Sequence, residues 1–211
     1  MLSRLHISSF IGLTIAAWLL ALWVHGMPVL GLDFLRPFSL VVGIVGLIVG
    51  VFVKTAWAWP IFRGWYVRRP DLRGTWEVTL ESNWINPETK KGVPPIEGYI
   101  SVRQTLTGLS LRLMTKESRS RLVAHSIELE DDGIYRISAI YRNEPRVELQ
   151  GDRSEIHYGS LLLEIYGTPP VSMEGHYWTD RGTRGTMKIL GRKNKVRDTF
   201  ESAQALCQCG K

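Results

Sequence analysis

Arginine, aromatic, amide and hydroxyl side chains concentrate near the ends of predicted strands. They occur in three places: Trp178, Thr179, Arg181 and Arg184 around one turn, Tyr141 and Asn143 at the end of an earlier strand, and Arg103 within another. A guanidinium group pairs with phosphate oxygens in a forked geometry, and an aromatic ring stacks on a planar base. Asparagine can read a hydrogen-bonding edge, and threonine can donate to an oxygen. These residue types suit an anionic ligand with planar rings, and solvated hairpin tips are the alternative.

Recognisable catalytic patterns are missing from the sequence. It has no glycine-rich phosphate loop before a helix, no His-Glu-x-x-His motif and no Gly-x-Ser-x-Gly elbow. His125, His157 and His176 fall in predicted strands, without a cysteine or a carboxylate pair at metal-ligand spacing. Cys207 and Cys209 lack the partners of a zinc motif and indicate inert thiols in a reducing compartment. We therefore expect a binding protein, not an enzyme, with no metal and no cofactor.

Short β-rich segments separated by turn residues fill the chain from Arg73 onward. We predict eight strands, at 75–82, 98–106, 109–115, 121–130, 134–142, 157–166, 172–179 and 185–190. The Asp132-Gly133 pair between two alternating runs predicts a hairpin. About eight consecutive strands predict an antiparallel up-and-down β-barrel, lipocalin-like, whose lumen would hold one small ligand. A β-sandwich is the alternative.

Alternation of side chains divides each strand into two faces but does not show which face lines the lumen. Arg103, for example, lies on the face opposite Ile100 and Val102. We expect the apolar faces to fill the core. The Gly74-Thr75-Trp76 opening resembles the start of lipocalin-like barrels, in which a tryptophan closes the barrel base.

Two uncharged apolar stretches precede the strands. Residues 7–24 and 37–53, with their flanks, reach the roughly 20 apolar residues needed to cross the hydrocarbon core of a bilayer. They predict a transmembrane hairpin with helices at about 7–26 and 37–56. A cleavable signal peptide is the alternative for the first stretch, but no small-x-small cleavage site follows Val24.

Positive charges flank this hairpin on one side. Basic residues precede the first helix or follow the second, and the connecting loop holds one charge of each sign: Arg4, Lys54, Arg63, Arg68 and Arg69 outside the loop, and Asp33 and Arg36 within it. The positive-inside rule then places both the N-terminus and the strand-rich domain in the cytoplasm.

Small residues recur at four-residue spacing in both helices. The pairs are Gly46 with Gly50, Gly12 with Ala16, and Ala17 with Ala21, and Gly43 shares the face of the first pair. Small residues let helix backbones approach closely in lipid. They predict packing of the two helices within one chain, and association between chains is the alternative.

The net charge of the chain belongs almost entirely to the membrane region. Residues 1–69 hold six basic residues and one acidic residue, whereas residues 70–211 hold 20 basic and 19 acidic residues. A nearly balanced domain argues against polymeric nucleic acid as a partner, because such binding depends on phosphate neutralisation. We divide the chain into a membrane region (1–69), a β-barrel domain (70–192) and a C-terminal tail (193–211).

Four motifs, taken with the two-helix N-terminus, resemble one known family. They are Leu72-Arg73-Gly74-Thr75-Trp76, Tyr141-Arg142-Asn143-Glu144-Pro145, His157-Tyr158-Gly159-Ser160-Leu161 and the run from Glu174 to Gly185. In this order they are similar to the CD-NTase-associated effectors of bacterial cyclic-oligonucleotide antiphage defence (CBASS), which join two transmembrane helices to a β-barrel sensing domain. The resemblance spans residues 5–192.

The resemblance implies a sensor and an effector in one chain at the bacterial inner membrane. The barrel would bind a cyclic di- or trinucleotide, the protein would oligomerise, and the membrane segments would disrupt the inner membrane and kill the infected cell. The resemblance implies that six of the residues named first contact the ligand, namely Tyr141, Asn143, Trp178, Thr179, Arg181 and Arg184. Arg103, which lies outside the four motifs, is a further candidate. A membrane-tethered carrier of a lipid or apolar molecule, or a structural envelope adaptor, is the alternative.

Overall fold

The computed structural model describes residues 4–26, 32–85, 89–150 and 155–208. The chain forms two compact units, residues 1–68 and residues 69–211. The first is helical, and the second is built on a β-barrel.

Two apolar helices, α1 (Arg4–Val24) and α2 (Phe38–Lys54), make up most of the first unit. Among the described residues, α1 alone is long and apolar enough to cross a bilayer by length and composition. The helix α2 is apolar but has 17 residues. It ends before residue 56, the predicted limit, because the backbone tightens there into the 3-10 turn Ala56–Ala58.

The two helices pack through valine and alanine side chains. Ala21, Val41 and Val45 are buried at their contact, and Ala17 packs beside them. The expected Ala17–Ala21 pair is therefore part of this contact. The glycines of α2 are not, because a Cβ built on Gly43, Gly46 or Gly50 would meet no described atom within 4 Å.

The tryptophans that follow α2 differ in exposure. Trp57 is buried, with 1% of its surface exposed, whereas Trp59 and Trp65 are 57% and 61% exposed. Of these three side chains, the last two can therefore lie in an interfacial belt, where amphipathic rings are favoured.

The second unit is a closed antiparallel barrel in which each strand pairs with the next and the last pairs with the first. The strands are β1 (Gly74–Ser82), β2 (Ile96–Gln104), β3 (Leu109–Thr115), β4 (Ser118–Leu129), β5 (Tyr135–Pro145), β6 (His157–Tyr166), β7 (Ser172–Thr179) and β8 (Arg184–Lys193). The predicted eight-stranded barrel is confirmed, and the sandwich is excluded because β1 and β8 are paired.

The apolar faces of the strands point inward, as expected. Core side chains from seven strands include Trp76, Val78, Ile100, Val102, Leu111, Ile137, Leu163, Met173, Met187 and Ile189. A bulge in β4 between Leu122 and Ala124 shifts the pairing with β5 by one residue. Ser120 and Leu122 therefore face inward before the bulge, and Ile127 faces inward after it.

Trp76 closes one end of the barrel. Its side chain is fully buried, and its indole nitrogen donates to the Leu72 carbonyl oxygen over 2.9 Å. The Gln104 side chain accepts from the Leu72 backbone nitrogen over 2.9 Å, and the Arg192 guanidinium lies 5.5 Å from the Trp76 ring centroid. These contacts seal the base, as the lipocalin-like opening predicted.

The C-terminal tail packs on the outer wall of the barrel. Its helix α3 (Phe200–Gln208) buries Phe200, Ala203 and Cys207 against Tyr99 and Met114 on the outer faces of two neighbouring strands. The Cys207 thiol is thus covered. Cys209 lies outside the described residues.

Candidate ligand-binding cavity

A cavity of about 690 Å³ occupies the end of the barrel opposite Trp76. Strand ends and hairpins form its wall, and the long connection between β1 and β2 contributes Trp84 and the segment 93–95. Its volume lies within the range of about 300–1,000 Å³ that is typical of small-molecule sites.

Apolar side chains and two tyrosines form the floor of this cavity. The apolar members are Leu80, Leu111, Leu113, Leu161 and Met187. Tyr141 on β5 and Tyr177 on β7 also line the cavity. Tyr141 is paired across the sheet with Gly159, and Tyr177 with Gly185. Each ring thus lies beside a residue without a side chain.

The Tyr141 phenol stays protonated well above neutral pH. Burial raises the pKa of Tyr141 well above its ordinary value, and the negative charges that Tyr177 and Asp180 can carry raise it further. At physiological pH the floor therefore offers a neutral hydroxyl group, which can donate a hydrogen bond to a ligand.

Hydroxyl and amide groups line the wall above the floor in three hydrogen-bonded pairs. Their oxygen atoms lie 2.7 Å apart in the pairs Ser120–Asn143 and Thr179–Thr183, and 3.2 Å apart in the pair Thr115–Ser118. The last two pairs belong to the β7–β8 and β3–β4 hairpins, so the turns themselves fix these groups at the mouth.

Charges of both signs stand at the rim. The basic lining residues are Lys116, Arg121 and Arg181, and the acidic ones are Glu97 and Glu117. Arg121 is bound to Glu144 over 3.2 Å. Arg181 stands at the exposed tip of the β7–β8 hairpin, whose turn is closed by a hydrogen bond of 3.1 Å from Gly182 to Thr179. Such a rim suits a few anionic groups, not a long polyanion.

The structure brings together four of the seven residues predicted to contact a ligand. Tyr141, Asn143, Thr179 and Arg181 all line the cavity. Tyr141 and Asn143 are two residues apart on β5, so they share its inner face.

The other three residues lie outside the cavity lining. Trp178 is 49% exposed and is paired with Arg184 on the outer wall. Arg103 binds Asp198 in the tail through two contacts of 2.6 and 2.7 Å. Alternation separates Trp178 from Thr179, because neighbouring strand residues point to opposite faces.

Tyr177 and Ser120 are among the lining residues that were not predicted from the sequence. Tyr177 could have been found, since it must share a face with Thr179. Ser120 could not, because its position opposite Asn143 depends on the register between β4 and β5. Within the described residues, no group of three or more His, Cys, Asp and Glu side chains could hold a metal ion.

A closed barrel that is sealed at one end and carries a polar-rimmed cavity at the other is the architecture of small-ligand binding proteins. The family described as Cap15, cyclic dinucleotide receptor domain, matches residues 67–190, and the chain belongs to this family. The chain is 27% identical over 187 residues to CD-NTase-associated protein 15 of Yersinia aleksiciae. The aligned region covers 87% of this chain and 83% of that protein. The resemblance to the CD-NTase-associated effectors is thereby confirmed.

Proposed function

We propose that this chain is a membrane-anchored sensor and effector of antiphage defence, and that a cyclic dinucleotide binds in the cavity at the barrel mouth. The observation that carries the proposal is the lining of that cavity, within a cyclic dinucleotide receptor domain. Arg181 would pair with a phosphate, and Tyr141 and Tyr177 would lie against the bases. Thr179 and Asn143 would hydrogen-bond to ribose, phosphate or base.

The size of the cavity supports the binding of one cyclic dinucleotide molecule in each barrel. A volume of about 690 Å³ is in the upper part of the range for drug-sized ligands. The cyclic dinucleotide would enter through the mouth of the barrel, because Trp76 and Leu72 close the base.

The effector step that we propose is oligomerisation followed by disruption of the inner membrane. A ligand shifts such an equilibrium only if it binds the assembled form more tightly than the monomer. The glycine face of α2, which does not contact α1, supports association of helices from different chains in lipid. We propose that α1 and α2 both span the membrane, with the N-terminus and the barrel in the cytoplasm.

A proteoliposome leakage assay tests this function. The full-length chain is reconstituted in vesicles loaded with a self-quenched dye, with the barrel outside, and a cyclic dinucleotide is added. Dye release that saturates with ligand concentration is expected. Saturable ligand binding without release would confine the function to sensing.

The apolar floor favours a second candidate, a carrier of a lipid or another apolar molecule. Five aliphatic or thioether side chains lie there, and a fatty-acid chain would bury more apolar surface on them than a nucleotide would. A carrier would bind oleate and no cyclic dinucleotide, whereas a nucleotide sensor would bind a cyclic dinucleotide and depend on the Arg181 guanidinium group.

A further inference from the structure

Ser120 and Asn143 form a buried polar pair in the wall of the cavity. They face each other across β4 and β5, and each residue is only 7% exposed. The Ser120 hydroxyl donates to Oδ1 of Asn143 over 2.7 Å. Both residues line the cavity that we propose for the ligand.

This hydrogen bond sets what Asn143 offers to a ligand. An asparagine amide carries an accepting oxygen and two N–H donors. The oxygen already accepts from Ser120, while none of the described residues accepts a hydrogen bond from Nδ2. In the described part of the chain, Nδ2 is not enclosed by protein atoms, so a molecule bound in the cavity can reach this donor.

A donor that a ligand covers discriminates between ligands by what they place against it. A donor that meets an acceptor gains a hydrogen bond, and one that meets another donor leaves both unsatisfied, which costs about 1–3 kcal/mol. Guanine and uracil carry a carbonyl oxygen where adenine and cytosine carry an amino group. Where this exocyclic group lies against Nδ2, the amide nitrogen of Asn143 gains a hydrogen bond with guanine or uracil and meets a second donor in adenine or cytosine.

We infer that Asn143, positioned by Ser120, selects cyclic dinucleotides that contain keto bases over those that contain only amino bases. Asn143 is the specificity-determining residue, and Ser120 is a positioning residue that acts through it. This inference rests on the proposed function, since it assigns base selectivity to the same cavity.

The test compares cyclic di-GMP, cyclic di-UMP and cyclic di-AMP as ligands of the full-length chain in nanodiscs, by titration calorimetry. The wild-type chain should bind the two keto-base rings about tenfold more tightly than cyclic di-AMP, since tenfold corresponds to about 1.4 kcal/mol. Asn143→Asp replaces the donor with an acceptor of the same shape. Its negative charge should weaken the binding of all three cyclic dinucleotides. The preference for keto bases should disappear or reverse.

Ser120→Ala should lower the preference by about threefold or more, because the amide is then able to turn its oxygen toward the ligand. The matched control is Ser138→Ala, which removes an exposed hydroxyl from the outer wall of β5 and should leave the preference unchanged. Circular dichroism of each variant checks its fold. The readout is the ratio of dissociation constants, which a general loss of stability does not move.

Two results would overturn the inference. The first is wild-type binding of cyclic di-AMP as tight as that of the two keto-base ligands. The second is a preference that survives in Asn143→Asp, and an equal loss of affinity for all three ligands there would assign Asn143 to phosphate or ribose. Failure of the wild-type chain to bind any of the three rings would instead overturn the proposed function, and the inference with it.

Discussion

The phenol ring of Tyr141 lies directly over Gly159, its partner across β5 and β6. A Cβ atom built on Gly159 would overlap Cζ and Oη of that ring. The same relationship recurs between β7 and β8, where a Cβ on Gly185 would stand 2.7 Å from Oη of Tyr177. The floor of the cavity is therefore shaped by two rings, each of which occupies the space that a side chain on the neighbouring strand would need.

Gly159→Ala should destabilise the fold and weaken ligand binding together. The added methyl group must displace Tyr141 or the nearby Trp178 carbonyl oxygen, and overpacking of this kind costs typically about 1–3 kcal/mol. Chemical denaturation measures the stability change. The matched control is Gly92→Ala, where a Cβ meets nothing within 4 Å. Equal stability of the two variants would show that the ring does not depend on Gly159.

Tyr141→Phe should change how stability depends on pH in alkaline solution. Burial raises the pKa of Tyr141 in the folded chain, so above pH about 10 the unfolded chain loses a proton that the folded chain keeps. This contribution to stability is complete below that pH and declines as pH rises, by about 1.4 kcal/mol per pH unit for one proton. The free energy of unfolding of Tyr141→Phe should therefore fall less steeply with pH than that of the wild type.

Urea denaturation at several pH values from 9 to 11 provides the comparison, with Tyr158→Phe on the exposed outer wall as the control. Parallel stability curves for the wild type and Tyr141→Phe would contradict the assignment of a protonated, buried phenol.

Arg181→Ala and Arg184→Ala should differ sharply, although the two residues flank one hairpin turn. Arg181 lines the cavity and Arg184 does not. Loss of a charge-assisted hydrogen bond of about 1.5–3 kcal/mol should weaken cyclic dinucleotide binding by about 10-fold or more in Arg181→Ala. We expect less than about a threefold change in Arg184→Ala. Equilibrium dialysis with labelled ligand measures both, and similar losses would place the phosphate outside the cavity.

Replacing Gly46 and Gly50 with leucine should separate sensing from membrane damage. A Cβ at either position would meet no atom of the described residues within 4 Å, so the helix hairpin should persist while close approach of a second chain is blocked. We expect ligand affinity to stay constant and ligand-induced dye release to fall. The control is Leu47→Ile on an exposed part of the same helix. Undiminished release in the double variant would rule out helix association through the glycine face.

The sequence predicts the strands well because their signals are local. Alternation of apolar residues and the Asp132-Gly133 turn depend on neighbours along the chain, and Gly133 has the positive φ of 83° that such a turn requires. The chemistry of the mouth was predicted in part for the same reason: Tyr141 and Asn143 share a strand face.

The remaining features of the cavity depend on contacts between strands. The bulge at Leu122 in β4 reverses the two faces, so alternation there cannot be carried along the whole strand. The partnership of Ser120 with Asn143 follows from the register between β4 and β5, and the position of Tyr141 over Gly159 follows from the register between β5 and β6. Arg103 was predicted to contact the ligand but binds Asp198 instead. Asp198 lies in the C-terminal tail, so the strand pattern could not predict this ion pair.

Titration calorimetry of the full-length chain in nanodiscs with cyclic di-GMP, cyclic di-AMP and oleate shows which kind of molecule the cavity holds. We expect saturable binding of at least one cyclic dinucleotide, with about one ligand per chain, and a loss of affinity of about 10-fold or more in Arg181→Ala. Binding of oleate with no heat from either cyclic dinucleotide would rule out the sensor function and identify the cavity as a carrier site.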